Sequence, residues 1–257
     1  MFDYDGTLCD RRDRYTGLGD AVITELMRVL DADVRVGIAT GRGKSVRSAL
    51  RAGLPQRCWN QVTIGYYNGS DIGSLGSEDH PDGAPQVCGA LRPIADALTA
   101  DPRFVTYAEC TPRFAQLTIE PRSLAPTGIV ADIVERVVRR AAADGVQIVH
   151  SSHSIDVLAP GVSKCALVHQ VRSSIPNNDL AVLCIGDRGH WPGNDFALLG
   201  ESYSLSVDQV SSDSETCWNL APPGLKGVDS LLNYLQCLVA EPTGGVRLQI
   251  KGGSRIT

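Results

Sequence analysis

The chain has 257 residues, 43% hydrophobic and 21% charged, enough apolar material for a substantial core and without the bias of collagenous, low-complexity or disordered sequences. Its formal net charge of −5 excludes a broad phosphate-neutralising surface for nucleic acid, but not a local positive pocket for a small anion. No apolar run approaches bilayer-crossing length, and the opening Met-Phe-Asp-Tyr-Asp is acidic where a signal peptide is basic, so the expectation is a soluble, cytoplasmic chain with no membrane partner.

In chain order, Phe2 to Leu8 reads as a strand end and an Asp-Gly turn. Leu18, Val22, Leu26, Val29 and Leu30 recur at helical spacing, Val34 to Ala39 is a short β-branched strand, and Ser45 to Gly53 predicts a second helix ended by Gly53 and Pro55. Strand, helix, strand opens a parallel α/β unit. From Asn68 to Pro85 the composition turns to Gly, Ser, Asp and Pro without periodicity, the expectation for a surface connection and a domain boundary.

Beyond it the pattern predicts a helix (Val87 to Thr99), strands at Phe104 to Ala108 and Phe114 to Ile119, a long helix (Thr127 to Asp144), and strands at Val146 to His150 and Ser154 to Leu158. That order fits an antiparallel sheet covered by helices on one face. The parallel pattern then resumes: helix Lys164 to Val171, strand Leu180 to Ile185, helix Asp195 to Leu199, strand Ser202 to Val207 and helix Val228 to Val239. The expected fold class is α/β, a Rossmann-like core of residues 1–68 and 160–240 with an inserted α+β cap at 69–159 and a loosely held tail at 241–257.

The eight cysteines lack any Cys-x-x-Cys pair and read as reduced thiols that pack; Cys165 has no neighbouring base. His150 and His153 lack companion cysteines for zinc and read as structural. Four strings fall where a parallel sheet presents its C-terminal strand ends: Asp3-Tyr4-Asp5-Gly6-Thr7, Thr40-Gly41-Arg42, Lys164, and Gly186-Asp187 with Asn194-Asp195.

Each alone has an ordinary reading as a turn, a helix cap or a solvated charge. The opening misses the spacing of a calcium loop, and Gly37 to Ser45 misses a P-loop because Ile38 stands where its first glycine belongs. Together they form a chemical site. Asp3 is placed as a carboxylate nucleophile toward phosphorus and Asp5 as the group handling the leaving-group proton. The repulsion of such close carboxylates calls for a divalent cation, whose oxygen shell Asp187 completes. Thr40, backbone amides near a helix start and the Lys164 ammonium would hold phosphate oxygens.

These residues resemble the haloacid dehalogenase superfamily: FDYDGTL as its first motif, the Thr of IATGR as its second, Lys164 in GVSKCALV as its third, and Gly186-Asp187 with Asn194-Asp195 as its fourth. Tyr67-Asn68-Gly69 and Ile155-Asp156-Val157, leading to Gly161 and Lys164, are similar to the branch of sugar phosphatases with an α/β cap. The resemblance implies magnesium-assisted hydrolysis of a small phosphorylated metabolite, a sugar phosphate first, through an aspartyl-phosphate. Asp3 would be nucleophile and ligand, Asp5 acid/base and ligand through its carbonyl, and Asp187 the third protein ligand. Asp195 would be the further metal-site residue, positioning Lys164 or a metal-bound water. Thr40, Gly41, Arg42, Lys164, Arg188 and Asn194 are the expected phosphate or substrate contacts.

Two departures stand out. The first strand is nearly absent ahead of Phe2, so either the chain is shortened or another segment fills its slot. The fourth motif, GDRGHWPGND, is lengthened as in phosphomannomutases of the eukaryotic type, and Arg113 and Arg122 bracket a cap strand where a second phosphate would bind. A phosphohexomutase is therefore the alternative, and a catalytically silent binding module the other. His190 and Trp191 in the lengthened loop are candidate substrate contacts or packing residues.

Overall fold

A computed structural model describes residues 1–13, 15–83, 86–123, 125–174, 181–241 and 246–249. Strand β1 (Phe2–Asp3) is followed by helix α1 (Asp20–Asp31), β2 (Val36–Ala39), α2 (Lys44–Gly53), β3 (Val62–Tyr66) and β4 (Asp71–Ser74). Next come α3 (Arg92–Ala100), α4 (Pro102–Tyr107), β5 (Ala108–Pro112), β6 (Gln116–Pro121), α5 (Thr127–Ala141), β7 (Gln147–His150) and β8 (Ile155–Leu158). The remainder is α6 (Cys165–Ser173), β9 (Cys184–Arg188), α7 (Phe196–Leu199), β10 (Ser204–Gln209), α8 (Val228–Gln236), β11 (Leu238–Ala240) and β12 (Val246–Leu248).

The main sheet has six strands in the order β10-β9-β1-β2-β3-β4, parallel except for β4. One face buries Leu26 and Leu30 of α1, Val46 and Leu50 of α2 and Leu231 and Leu235 of α8. The other carries Leu167 and Val168 of α6 and Leu198 of α7. Burial on both faces explains why β2 reads Val-Gly-Ile-Ala with no polar residue.

The second sheet is antiparallel, β5-β6-β8-β7, and lies in sequence between β4 and α6. Its strands alternate. Leu117 and Ile119 of β6 and Ile155 and Val157 of β8 pack on α3 and α5 through Ile94, Leu98, Val130 and Ile133. The intervening Gln116, Thr118 and Asp156 face the main sheet's strand ends, where Asn68 and Gly41 meet them. The architecture is thus the expected α/β core with an α+β insertion.

Several expectations are corrected. Val62–Tyr66 and Asp71–Ser74, the latter inside the expected connection, are strands, and the last two residues of that connection lie outside the described set. Phe104 to Tyr107 is helical, because Pro102 starts a turn capped by the Asp101 side chain accepting from the Arg103 amide. Leu180 lies outside the described residues, and the strand expected there runs from Cys184 to Arg188. The last helix stops at Gln236; Leu238–Ala240 pairs antiparallel with Val246–Leu248, so that part of the tail is held by a ladder. Residues 242–245 and 250–257 of the tail are outside the described set. Phe2 and Asp3 themselves fill the slot between β9 and β2, with the Ile185 amide donating to the Met1 carbonyl. No helix among the described residues is long and apolar enough to cross a membrane.

Candidate active site

Three parallel strands end side by side and bring the distant motifs together. β1 ends at Asp3, its neighbour β2 runs into Thr40-Gly41-Arg42, and β9 on the other side carries Asp187. Lys164 precedes α6, and Asp195 precedes α7.

Below the floor, Lys164 is fully buried; its Nζ donates to Asp3 Oδ1 at 2.5 Å and to Asp195 Oδ1 at 2.6 Å. Asp195 Oδ2 accepts from the backbone amides of Asp187 at 2.9 Å and Arg188 at 3.0 Å. These contacts require glycine at 186, where a Cβ would stand 2.8 Å from Asp195 Oδ2. Glycine is also required at 6, which has φ +92° and whose added Cβ would sit on the Asp187 carboxylate.

Asp3, Asp187 and Asp195 each present a carboxylate oxygen within 4.8 Å of the others, all buried. Burial first, then the Asp195 charge, pushes Asp3 up, and the same two causes raise Asp187 to about 7. Asp195 is held below the usual range, because Lys164, the Arg188 amide and the Asp187 carboxyl outweigh its burial. Asp3 Oδ2 is buried with no hydrogen-bond partner. A buried, all-oxygen cluster of three carboxylates fits a hard dication such as Mg2+.

A cavity of about 50 Å³ opens over this cluster. Its floor is Asp3, Asp5, Gly41, Arg42, Asp187, Arg188 and Asn194, so most of the residues singled out in the sequence meet there. Thr40, Lys164 and Asp195 lie beneath it rather than on it, and the Thr40 hydroxyl accepts from the Arg42 amide at 3.1 Å. Asp5 stands apart from the carboxylate cluster, with Arg42 Nη1 3.0 Å from its Oδ1. Arg188 Nε is buried without a hydrogen-bond partner, 3.8 Å from Asp187 Oδ2.

The roof comes from the second sheet: Thr118, Glu120, the Ser151–Ser154 bend and Asp156. None of these is marked as a site residue by the sequence: His153 reads as structural, and Asp156 stands inside a family-like string without a role of its own. Asp156 is raised to about 6 by burial, and it accepts from Asn68 Nδ2 at 3.2 Å. Asn68 adopts the left-handed φ of 56° that asparagine tolerates, its Nδ2 donates to Gln116 Oε1, and Gln116 Nε2 donates to the Gly41 carbonyl. Roof and floor are also joined at the β7 edge. The His150 amide donates to the Pro192 carbonyl and the Asn194 amide to the His150 carbonyl, so the lengthened loop reaches the second sheet.

Arg113 and Arg122 do not line the cavity. Arg113 packs over the Tyr67 ring at 5.6 Å, and Arg122 is exposed. A second cavity of about 190 Å³, lined by Trp191, Phe196, Val149, Leu158 and others, touches Lys164 and Asn194 but none of Asp3, Asp5 and Asp187.

No protein-family model matches the chain, and no curated protein matches it. Among solved structures, it is similar to the C-terminal domain of trehalose-6-phosphate phosphatase from C. albicans, with 18% identity and a TM-score of 0.63 over 91% of this chain and 89% of that one. It is similar to a sucrose-phosphatase from Synechocystis in complex with sucrose and phosphate, with 17% identity and a TM-score of 0.59 over 90% and 93%. A haloacid dehalogenase-like hydrolase from Bacteroides thetaiotaomicron matches with 16% identity and a TM-score of 0.57 over 81% and 88%. Two of these neighbours are phosphatases and the third is a haloacid dehalogenase-like hydrolase; the chain has their fold, in agreement with the resemblance of its motifs.

Proposed function

We propose that this haloacid dehalogenase fold hydrolyses a small phosphomonoester, a sugar phosphate first, with Mg2+ as cofactor and Asp3 as nucleophile. The observation that carries the reading is Asp3 itself, a residue of the cavity floor: one oxygen is fixed by a buried ammonium, the other buried and unpaired. A lysine that holds Oδ1 orients the carboxylate, leaving Oδ2 to attack.

In the first step a bond forms between Asp3 Oδ2 and phosphorus, the phosphorus–oxygen bond to the leaving group breaks, and Asp5 gives that oxygen its proton. In the second, Asp5 takes a proton from water as the water oxygen bonds to phosphorus. The Asp3–phosphorus bond then breaks, and inorganic phosphate leaves. The Lys164 charge beneath the floor, the Gly41 amide and the open Arg188 Nε donor stabilise the charge on the phosphoryl oxygens. Asp3, Asp187 and the Asp5 carbonyl would hold Mg2+, with Asp195 behind them fixing Lys164 and the Asp187 backbone; the ion would supply positive charge to the phosphoryl group and to the clustered carboxylates.

The division of labour follows: a core of residues 1–68 and 160–240, extended by β4, does the chemistry, and the remainder of 69–159 is a cap that selects the leaving group. The roof supports hydrolysis over the mutase alternative. Its described lining residues are Thr118, Glu120, Ser151–Ser154 and Asp156, without an arginine or lysine to hold a second phosphate. Intact Asp3, Asp5, Lys164 and Asp187 favour turnover over silent binding.

The test is a panel of metabolite phosphates with Mg2+ or with EDTA, beside Asp3→Asn and Asp5→Asn. Mg2+-dependent phosphate release that Asp3→Asn abolishes is expected. Isomerised hexose phosphate requiring a bisphosphate activator, or ligand binding without product, would overturn the reading.

A further inference from the structure

The mechanism leaves one close contact of the carboxylate cluster unused. Arg11, in the turn-rich segment after β1, places Nη2 2.5 Å from Asp187 Oδ2 and 3.3 Å from Asp208 Oδ2. Asp208, near the end of β10, takes Lys226 Nζ on its other oxygen at 2.9 Å. Charges therefore alternate from the buried centre to the surface: Asp187, Arg11, Asp208, Lys226. The Asp187 carboxylate is also seated against the Gly6 backbone, where an added Cβ would lie 3.2 Å from Arg11 Nε.

We infer that Arg11 is a positioning residue of the cation centre, holding one oxygen of Asp187 so that the other is presented as a ligand. The inference rests on the reading of Asp3, Asp187 and Asp195 as that centre. A monodentate carboxylate ligand free to rotate loses orientation on each departure of the cation, whereas a hydrogen bond to its second oxygen keeps it in place.

A guanidinium beside a dication site, taken alone, repels the cation. The charge count decides otherwise. Asp3, Asp187, Asp195 and Asp208 against Lys164, Arg11 and the exposed Lys226 are four carboxylates to three cations, so the centre stays negative toward a dication with Arg11 in place. Arg11 makes both contacts through the one nitrogen, Nη2, and a lysine there would keep the charge on a shorter stem without the rest of the guanidinium.

Binding of Mg2+ to the substrate-free protein, measured by calorimetry, and of Mn2+, measured by loss of its free-ion resonance signal, tests this without turnover. Arg11→Gln is expected to weaken both affinities by about 10- to 100-fold. Arg11→Lys should recover part of the loss. Asp208→Asn, which frees Arg11 from its second partner, should weaken binding less than Arg11→Gln does. At saturating Mg2+, kcat of Arg11→Gln should return to within a few-fold of wild type, as a merely structural lesion would not allow.

Dichroism and melting profiles establish that each variant is folded, and should Arg11→Gln not fold, Arg11→Lys carries the test. Wild-type Mg2+ binding that is unchanged or tighter in a folded Arg11 variant overturns the inference while leaving the phosphatase reading in place. A wild-type protein that releases phosphate yet binds neither cation overturns the inference through its premise, the cation centre.

Discussion

Replacing Lys164 by Met keeps the length of the side chain and removes the ammonium that lies between two buried carboxylates. Lys164 is 1% exposed, Asp3 2% and Asp195 0%, so the two carboxylates are left out of reach of bulk solvent. Removing one partner of a buried, hydrogen-bonded charge pair costs about 3–5 kcal/mol. For a chain of this size that lowers the melting temperature by about 6–20 °C.

The pH dependence follows from the directions of the shifts. In the wild type Lys164 is raised and Asp195 lowered, so the pair's contribution is present between the unfolded values of 3.8 and 10.5 and is flat across pH 5–8. In Lys164→Met, burial acts on Asp195 without its ammonium and raises it. The variant then loses stability as pH climbs above about 4, as its carboxyls are driven to ionise in place. The gap between wild type and variant should therefore widen from pH 5 to pH 8. Calorimetric melts of both proteins across that range are the assay. A gap below about 1 kcal/mol at pH 7, the scale of exposed pairs, or a gap that narrows with rising pH, would refute the reasoning.

Further outcomes follow from the same geometry. Asp156 is raised from 3.8 to about 6 by burial, about 2 units at 1.36 kcal/mol each, so its ionisation costs about 3 kcal/mol that is absent below pH 4 and complete above pH 6. Asp156→Asn should accordingly be more stable than wild type at pH 8 and indistinguishable at pH 4, read by thermal melts. Gly186→Ala puts a Cβ 2.8 Å from Asp195 Oδ2, so Asp195 must shift away from Lys164. A stability loss of about 1–3 kcal/mol is expected, with phosphate release lowered at unchanged substrate KM. Asp5→Asn should retain the fold and lower turnover about 10²- to 10⁴-fold, most for substrates with the poorest leaving groups.

The parts of the fold legible in the sequence are those in which one physical signal dominates. α1 and α5 announce themselves by periodicity, β2 by an uninterrupted apolar run buried on both faces, and the catalytic strings by their position at strand ends. β4, Asp-Ile-Gly-Ser, has the composition of a loop and is a strand only because β3 offers an unpaired edge, a tertiary fact invisible locally. At Phe104 the apolar residues outweighed the Asp101-Pro102 cap, which was the better signal. Arg11 carries no motif and no period; its role comes from a contact across 176 positions. The roof residues Thr118, Glu120 and Ser151–Ser154 were unreadable for the same reason, since only the folding of one sheet over another brings them to Asp3.

The account turns on a covalent bond between phosphorus and Asp3. Protein quenched in acid during turnover of p-nitrophenyl phosphate in Mg2+, then reduced with borohydride and digested, should yield a peptide in which residue 3 is homoserine. That product should be missing without substrate and in Asp3→Asn. Turnover with an unmodified Asp3 peptide, or an Asp3→Asn protein that still releases phosphate at the wild-type rate, would contradict it.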